Sequence, residues 1–336
     1  MAMPIGSKTS KKLLPRTRPR WRASCPTGFP RRHGVAKVTI LMGLFNGECF
    51  LQDQLDSFVA QTHEDWELIV SDDGSTDAGL DILRTFAADH PNRNIRLIAG
   101  PQQGVAKNFL YLLGSARGDY ISFADQDDVW LPHKIARALA QLPDPQIPAL
   151  ICGRTRLVDE NLNELGLSQL FTQTPSFGNA LVENIGGGNT MVMTQAAADL
   201  LNKARAHVQA LAVHDWWAYQ VLTGCGAQVI YDPEPGLLYR QHSQNLIGGG
   251  RSSKVFLDRM RRVFIGQVAQ WADQTIANLT PVRDLTAGNR ARLTAFSKAR
   301  GASMPNRIRL MRQSGITRQK LIDRMALWAA VLWNRI

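Results

Sequence analysis

The chain has 336 residues, 44% apolar and 20% charged, enough to bury a sizeable core in one large domain or two modest ones. Its net charge of +11 is unevenly spread: residues 1–37 hold ten Lys/Arg and no acid, residues 38–250 twelve against twenty-four Asp/Glu, and residues 251–336 seventeen against four. An acidic body between two basic ends argues against a nucleic-acid-binding protein as the main function, and no apolar run approaches the ~20 residues of a membrane span. The four cysteines, Cys25, Cys49, Cys152 and Cys225, form no CxxC pair. That disfavours a disulfide framework and a thiolate zinc site and fits a reducing compartment. No apolar segment follows the basic N-terminal residues as in a signal peptide, so a cytoplasmic location is expected.

Residues 1–37 combine Pro, Arg, Ser and Gly without hydrophobic periodicity, and a disordered tail is the expectation. Val38 to Met42 is a fully apolar, β-prone run, as a buried parallel strand should be. From Gly47 onward, Phe50, Leu51, Leu55, Phe58 and Val59 share a helical face. Strands follow at Trp66–Val70, Ile95–Ala99 and Tyr120–Ala124, and helices at Asp77–Asp89, Val105–Ala116 and Leu131–Leu142. This alternation predicts a doubly wound α/β sheet whose ligand lies beyond the carboxyl ends of the strands. Past Pro148, strands are expected at Ala149–Val158, Thr190–Met193, 227–231 and Leu237–Arg240, with helices at Gln195–Ala206 and 213–222. From about 254 to 334 the chain reads as helical, broken at Pro281, Gly301 to Pro305 and Gly315. The expected divisions are a basic tail (1–37), an acidic α/β domain (38–250) and a basic helical region (251–336).

Two strand ends carry acids. Ser71-Asp-Asp-Gly-Ser-Thr-Asp77 reads partly as a tight turn into a capped helix, which does not require two adjacent carboxylates. In Asp125-Gln-Asp-Asp128, residues i and i+2 of an extended chain face the same way, so Asp125 and Asp127 should converge while Asp128 points elsewhere. Clustered carboxylates at a sheet rim suit a hard divalent cation that also meets substrate phosphates. No GxxxxGK[ST] or GxGxxG follows the first strand, which removes a P-loop enzyme and a dinucleotide-binding dehydrogenase.

Phe45-Asn46-Gly47, Gln54-Leu-Asp-Ser57, Gln61-Thr62, the 71–77 segment, Gly104-Val-Ala-Lys-Asn108 and Asp125-Gln-Asp-Asp-Val-Trp-Leu-Pro-His-Lys134 resemble glycosyltransferase family 2. So do His214-Asp-Trp-Trp217 and Tyr239-Arg-Gln-His-Ser-Gln-Asn245, and the set is most similar to rhamnosyltransferase-type members. The resemblance covers about 38–250. It implies a GT-A fold (a Rossmann-like nucleotide-diphospho-sugar transferase) with a helical C-terminal extension, a nucleotide-diphosphate sugar donor, inversion at the anomeric carbon, and Mg²⁺ or Mn²⁺. Where such proteins commonly show Tyr-Asn after the first strand, this chain has Phe45-Asn46, retaining a ring and losing a hydroxyl.

By that resemblance Asp127, with Asp125, holds the cation; Asp72 and Asp73 lie near the nucleotide; and Phe45, Asn46, Glu48 and Gln126 border base or ribose. Lys107 faces donor phosphate or is a solvated surface lysine. His242 completes the metal shell or is structural, with Arg240 near phosphate. Asp215 is the expected general base, raised by partial burial, or else an N-cap carboxylate. Trp216 and Trp217 stack on a sugar or pack in the core. Gly186-Gly-Gly-Asn-Thr190 admits close backbone approach or serves as a turn. The expected partners are the donor, a glycan or lipid-linked acceptor of cell-surface polysaccharide synthesis, and a membrane surface met by Arg- and Trp-bearing C-terminal helices. The competing readings are a nucleotide-sugar-binding module without catalysis and a basic nucleic-acid-binding protein.

Overall fold

A computed structural model describes residues 36–211, 213–242 and 267–336, so the basic tail and the segment before the last helices lie outside the described residues. The first half alternates as the apolar runs predict: Val38–Leu44 (β1), Leu51–Val59 (α1), Trp66–Asp72 (β2), Gly79–Asp89 (α2), Ile95–Ala99 (β3), Val105–Leu113 (α3) and Tyr120–Ala124 (β4). A two-residue strand, Val129–Trp130 (β5), precedes Lys134–Gln141 (α4). Ala149–Gly153 (β6), Arg156–Val158 (β7), Glu164–Leu167 (β8) and Phe177–Ala180 (α5) follow, then a 3-10 turn at Gly188–Thr190 and Val192–Thr194 (β9). Gln195–Arg205 (α6), His214–Gly224 (α7), Gln228–Asp232 (β10) and Leu237–Arg240 (β11) complete the α/β part. Four further helices are Gln267–Leu279 (α8), Ala287–Arg300 (α9), Met304–Ser314 (α10) and Leu321–Leu332 (α11).

Seven strands form one sheet in the order β10-β6-β9-β4-β1-β2-β3. β1 runs parallel to β2 and β4, β2 to β3, and β6 to β10, whereas β9 is antiparallel to both β4 and β6. Successive residues of a strand point to opposite faces, so β1 feeds two cores. Ile40 and Met42 pack with α1, α2 and α4 residues such as Leu55, Leu83 and Ile135. Leu41 joins Phe109 of α3, Leu201 of α6, Trp217 of α7 and Phe296, Met311 and Val331 of the last helices. The apolar run at β1 is thus buried on both faces, and the C-terminal helices share the second of these cores.

The expected strand 149–158 is two strands in different sheets. β6 belongs to the large sheet, while β7 pairs with β11 and β8 in a four-stranded sheet ordered β5-β11-β7-β8. The break falls at Arg154-Thr155, where Arg154 Nε donates to the Ser168 carbonyl and the Thr155 amide to Ser168 Oγ. β5 and β8 were not read from sequence, being too short for period-2 alternation to register.

A bidentate ion pair ties α4 to β10. Arg137 of α4 donates Nε and Nη2 to the two carboxylate oxygens of Asp232 (2.5 and 2.7 Å), and Gln141 adds a third bond at 2.9 Å. Burial pushes the Asp232 carboxyl up, but bonds from Arg137, the Glu234 amide and Gln141 outweigh it and hold the pKa below its usual value. Arg137→Met should cost about 3 kcal/mol in urea unfolding at pH 7, because it leaves a buried carboxylate unpaired. The wild-type contribution is present above the ordinary Asp pKa and is lost as acid protonates Asp232, so the difference between the two proteins should shrink below about pH 4.

Candidate functional site

The carboxyl ends of β1, β2 and β4 meet at one rim. After β1 the chain turns at Asn46, whose backbone is left-handed (φ 49°), a conformation Asn tolerates better than most residues. Asn46 Oδ1 accepts the Thr76 amide (2.8 Å) and Ser75 Oγ accepts the Asn46 amide (3.0 Å). One residue pair along, Glu48 Oε2 accepts the Ala78 amide and Asp77 Oδ2 the Glu48 amide. These reciprocal bonds stitch the β1 and β2 loops together. Asp72 accepts the Gly74 and Ser75 amides, closing the turn, and buried Asp73 accepts the Gln102 and Gly104 amides at 2.7 Å each, fixing the β3–α3 loop. The adjacent acids Asp72 and Asp73 are therefore accommodated by backbone N–H donors on two different loops.

Phe45 stands at the same rim with its ring 55% exposed. Its backbone is clamped by Gln126: Oε1 accepts the Phe45 amide (2.8 Å) and Nε2 donates to the Phe45 carbonyl (2.9 Å). A Cβ on Gly47 would lie 2.8 Å from Gln126 Oε1, so this position needs glycine for the clamp to close. Both ends of the Gln126 amide are thus used in positioning the β1 loop against the acid loop. Gln126→Ala should raise the donor KM about thirtyfold with little change in kcat, given ~1 kcal/mol for each of the two lost bonds, and steady-state kinetics would show the split.

The acid loop is a cluster. Ligand oxygens of Asp125, Asp127 and Asp128 lie within 4.8 Å of one another. Asp128 therefore does not point away as strand alternation predicted, because the chain leaves β4 at Ala124 and bends before β5. Asp128 is fully buried and accepts Asn189 Nδ2 (2.6 Å) and the Arg240 amide (3.2 Å). Gln54 of α1 donates Nε2 to the Asp128 carbonyl at 2.6 Å and accepts Trp130 Nε1. Burial, then the neighbouring charges of Asp127 and Asp215, push the Asp125 carboxyl up to about 8. Burial and its two loop partners also drive Asp128 well above the usual range, against bonds from Asn189 and the Arg240 amide. Such a set fits a hard divalent cation, because oxygen ligands whose charges repel one another in a partly dry site are those a cation relieves.

The late motif arrives here from β11. His242 Nε2 lies 2.8 Å from Asp127 Oδ2, and its ring packs 5.0 Å from Phe50. Arg240, read as a phosphate contact, is 2% exposed and its guanidinium is engaged within the protein: Nε on the Asp127 carbonyl, Nη1 on the Glu160 carbonyl, Nη2 on Asp53 Oδ2. It braces the acid loop instead of facing outward. Lys107 likewise reaches inward, Nζ donating to the Val208 carbonyl at 3.2 Å.

Asp215 faces this cluster from α7. Oδ2 accepts the Gly188 amide (3.0 Å) and Oδ1 the Trp216 amide (2.5 Å). Val213 occupies the N-cap, so Asp215 sits in the first helical turn and does not cap it. Burial raises its pKa to about 6, opposed by the Trp216 and Gly188 amides and the Asn184 side chain. The triple-glycine segment is a close approach: a Cβ on Gly188 would lie 2.5 Å from His214 Nε2. Of the two tryptophans, Trp217 is in the core, and Trp216 donates Nε1 to the Ala180 carbonyl and packs edge-on against Trp271. Asp53, Gln54, Glu160 and Asn189 were not singled out from sequence as site residues. Their part in holding the acid loop depends on pairings from 61 to 187 residues apart, which no local pattern records.

A mixed seven-stranded sheet with a rim of acids at the strand ends has the architecture of a GT-A glycosyltransferase. Residues 39–200 match Glycosyl transferase family 2, and the chain belongs to that family. It is similar to the dTDP-rhamnosyl transferase RfbG of Shigella flexneri, 30% identical over 236 residues that cover 65% of this chain and 78% of the relative. It also resembles the putative glycosyltransferase EpsE of Bacillus subtilis, 36% identical over 107 residues but spanning 38% of that relative. Among solved structures, S. aureus TarS 1–349 in complex with UDP-GlcNAc superposes with a TM-score of 0.55 at 16% identity, covering 77% of this chain and 70% of TarS. That likeness bears on the fold.

Proposed function

We propose that the chain is a metal-dependent inverting glycosyltransferase that moves a sugar from a nucleoside-diphosphate donor to a glycan or lipid-linked acceptor in cell-surface polysaccharide synthesis. Rhamnose is the sugar favoured by the 30% identity to RfbG. The observation that carries this reading is one carboxylate, Asp215, set within electrostatic reach of the acid loop but on a separate element, α7, with a pKa near 6. A general base opposite a leaving-group site is what an inverting displacement needs.

On this reading Asp125 and Asp127, with His242, hold Mg²⁺ or Mn²⁺, whose charge offsets that building on the diphosphate as its bond to the sugar breaks. Phe45 presents its ring to the base. Asn46, Glu48, Asp72 and Asp73 keep the surrounding loops in the shape that receives the nucleoside. Asp215 takes the proton of the acceptor hydroxyl. The freed oxygen attacks the anomeric carbon from the face opposite the diphosphate, the glycosidic bond forms, and the nucleoside diphosphate leaves with the bonding electron pair. The Gly188 and Trp216 amides hold the Asp215 carboxylate in one orientation during this transfer. A lipid-borne acceptor puts the protein on the cytoplasmic face of a membrane. Among the described residues no helix is long and apolar enough to cross one.

The test is turnover of a panel of nucleotide sugars, dTDP-rhamnose included, with and without Mg²⁺ or Mn²⁺. Cation-dependent turnover of at least one donor is expected. Failure of every donor to bind or react in a cation-dependent way would overturn the proposal.

A further inference from the structure

α11 has two apolar faces. One is buried, with Leu327, Ala330 and Val331 packed into the fold. The other carries Leu321 (70% exposed), Ile322 (63%), Met325 (66%) and Leu332 (47%), continued by Trp333 (67%) just past the helix end. At ~100° per residue, Leu321, Ile322, Met325, Ala329 and Leu332 fall within about a third of the circumference, opposite the buried set. The acid of this helix, Asp323, lies on the buried side of the wheel. Scattered exposed apolar residues are ordinary, but a continuous stripe along a whole helix marks a contact surface.

The helix is also firmly held. Buried Arg307 of α10 donates Nη1 to the Val331 and Leu332 carbonyls of the last turn of α11, and Arg300 of α9 donates Nε to the carbonyl of Ile336, just past the helix end. The segment before α11 is tied to the catalytic half: Gln319 accepts the Gln173 amide and donates Nε2 to the Gln173 carbonyl, and its own amide meets Glu183 Oε2. The stripe is therefore presented on a fixed platform.

We propose that this stripe docks on an anionic membrane surface, with α11 lying in the plane of the interface. The charges favour that occupant over a second copy of the chain. Exposed Lys320 and Arg335 bracket the stripe, and residues 251–336 hold seventeen Lys/Arg against four acids. Two such regions meeting face to face would repel, whereas anionic headgroups attract both ends while Met325 and Trp333 enter the acyl boundary. A twelve-residue helix of ~18 Å lies on a bilayer and does not span it. The surface is read from α11 itself and stands apart from the chemistry at the acid loop, although a lipid-borne acceptor gives it a use.

The test is flotation of the full chain with phosphatidylcholine vesicles with and without phosphatidylglycerol, compared with the triple variant Ile322→Gln/Met325→Gln/Trp333→Gln. Wild type should float with anionic vesicles and less so at high salt, and the variant's partition should fall at least tenfold or so. The substitutions are at exposed sites, and thermal unfolding and donor turnover measured without vesicles should match wild type. A variant that floats like wild type would show that the basic ends alone bind, and the proposal would fail. A wild-type dimer that the variant converts to monomer, with no vesicle binding by either, would assign the stripe to self-association and overturn it equally. Loss of donor turnover in both proteins would instead count against the transferase reading and leave the flotation result standing.

Discussion

Asp215→Asn should lose transfer by about 10²–10⁴-fold while keeping donor binding, because the amide cannot take the acceptor proton but preserves size and most hydrogen-bonding shape. The Gly188 amide meets Oδ2 and the Trp216 amide Oδ1, so the single oxygen of the substituted side chain can keep the Gly188 bond, and with it the turn, while the Trp216 bond is lost. The wild-type pH profile adds a second readout. With burial raising Asp215 to about 6, the base is ionised above that value, and kcat should fall as pH drops through it. Residual activity of the Asn variant should lack that limb. Unchanged transfer, or the same limb in the variant, would remove Asp215 from the base role.

Asp127→Ala carries the second large effect. It removes one oxygen ligand and the 2.8 Å partner of His242, and leaves Asp125 and His242 to hold a cation. Donor turnover should drop by at least about 10²-fold, the scale of losing an electrostatic contact made at the leaving group. A readout independent of activity follows from the acids themselves. With Asp125 raised to about 8 by burial and its neighbours, the folded state holds a proton that the unfolded chain releases near 4. Stability without a cation therefore falls as pH rises between about 4 and 8, and an added cation should restore it at the upper end. In wild type, Mg²⁺ or Mn²⁺ should raise the melting temperature at pH 8 much more than at pH 5, whereas Asp127→Ala should show little response at either. Equal cation responses in the two proteins would take Asp127 out of the site.

β1, β2 and β4 were readable because each is an apolar run buried on both faces, and β3, largely exposed at the sheet edge, was readable from its place in the strand–helix alternation. The split between β6 and β7 was not, since Arg154-Thr155 interrupts no periodicity and the break depends on Ser168. At the site, strand position singled out the acids, and the family resemblance singled out His242 and Asp215. What they missed was direction. A motif places Arg240 near Asp127, but only the fold shows its guanidinium turned inward to Asp53 and two carbonyls. Gln126 was read as a donor contact, and the fold shows its amide gripping the Phe45 backbone. Alternation sent Asp128 away, and the kink after β4 brought it back.

The reversed strand β9 bears on how this enzyme can be recombined. It lies between β4 and β6, after β1–β4, which carry the proposed donor side and are contiguous in sequence, so the proposed acceptor-side elements enter the sheet after a change of direction. Among the described residues, the side-chain links across that seam include Asp128 to Asn189, Asp53 to Arg240 and Asp127 to His242 at the rim, with Arg137 and Gln141 to Asp232 below. A chimaera joined in the 143–148 connection that keeps those pairs should take its nucleotide sugar from one parent and its acceptor from the other.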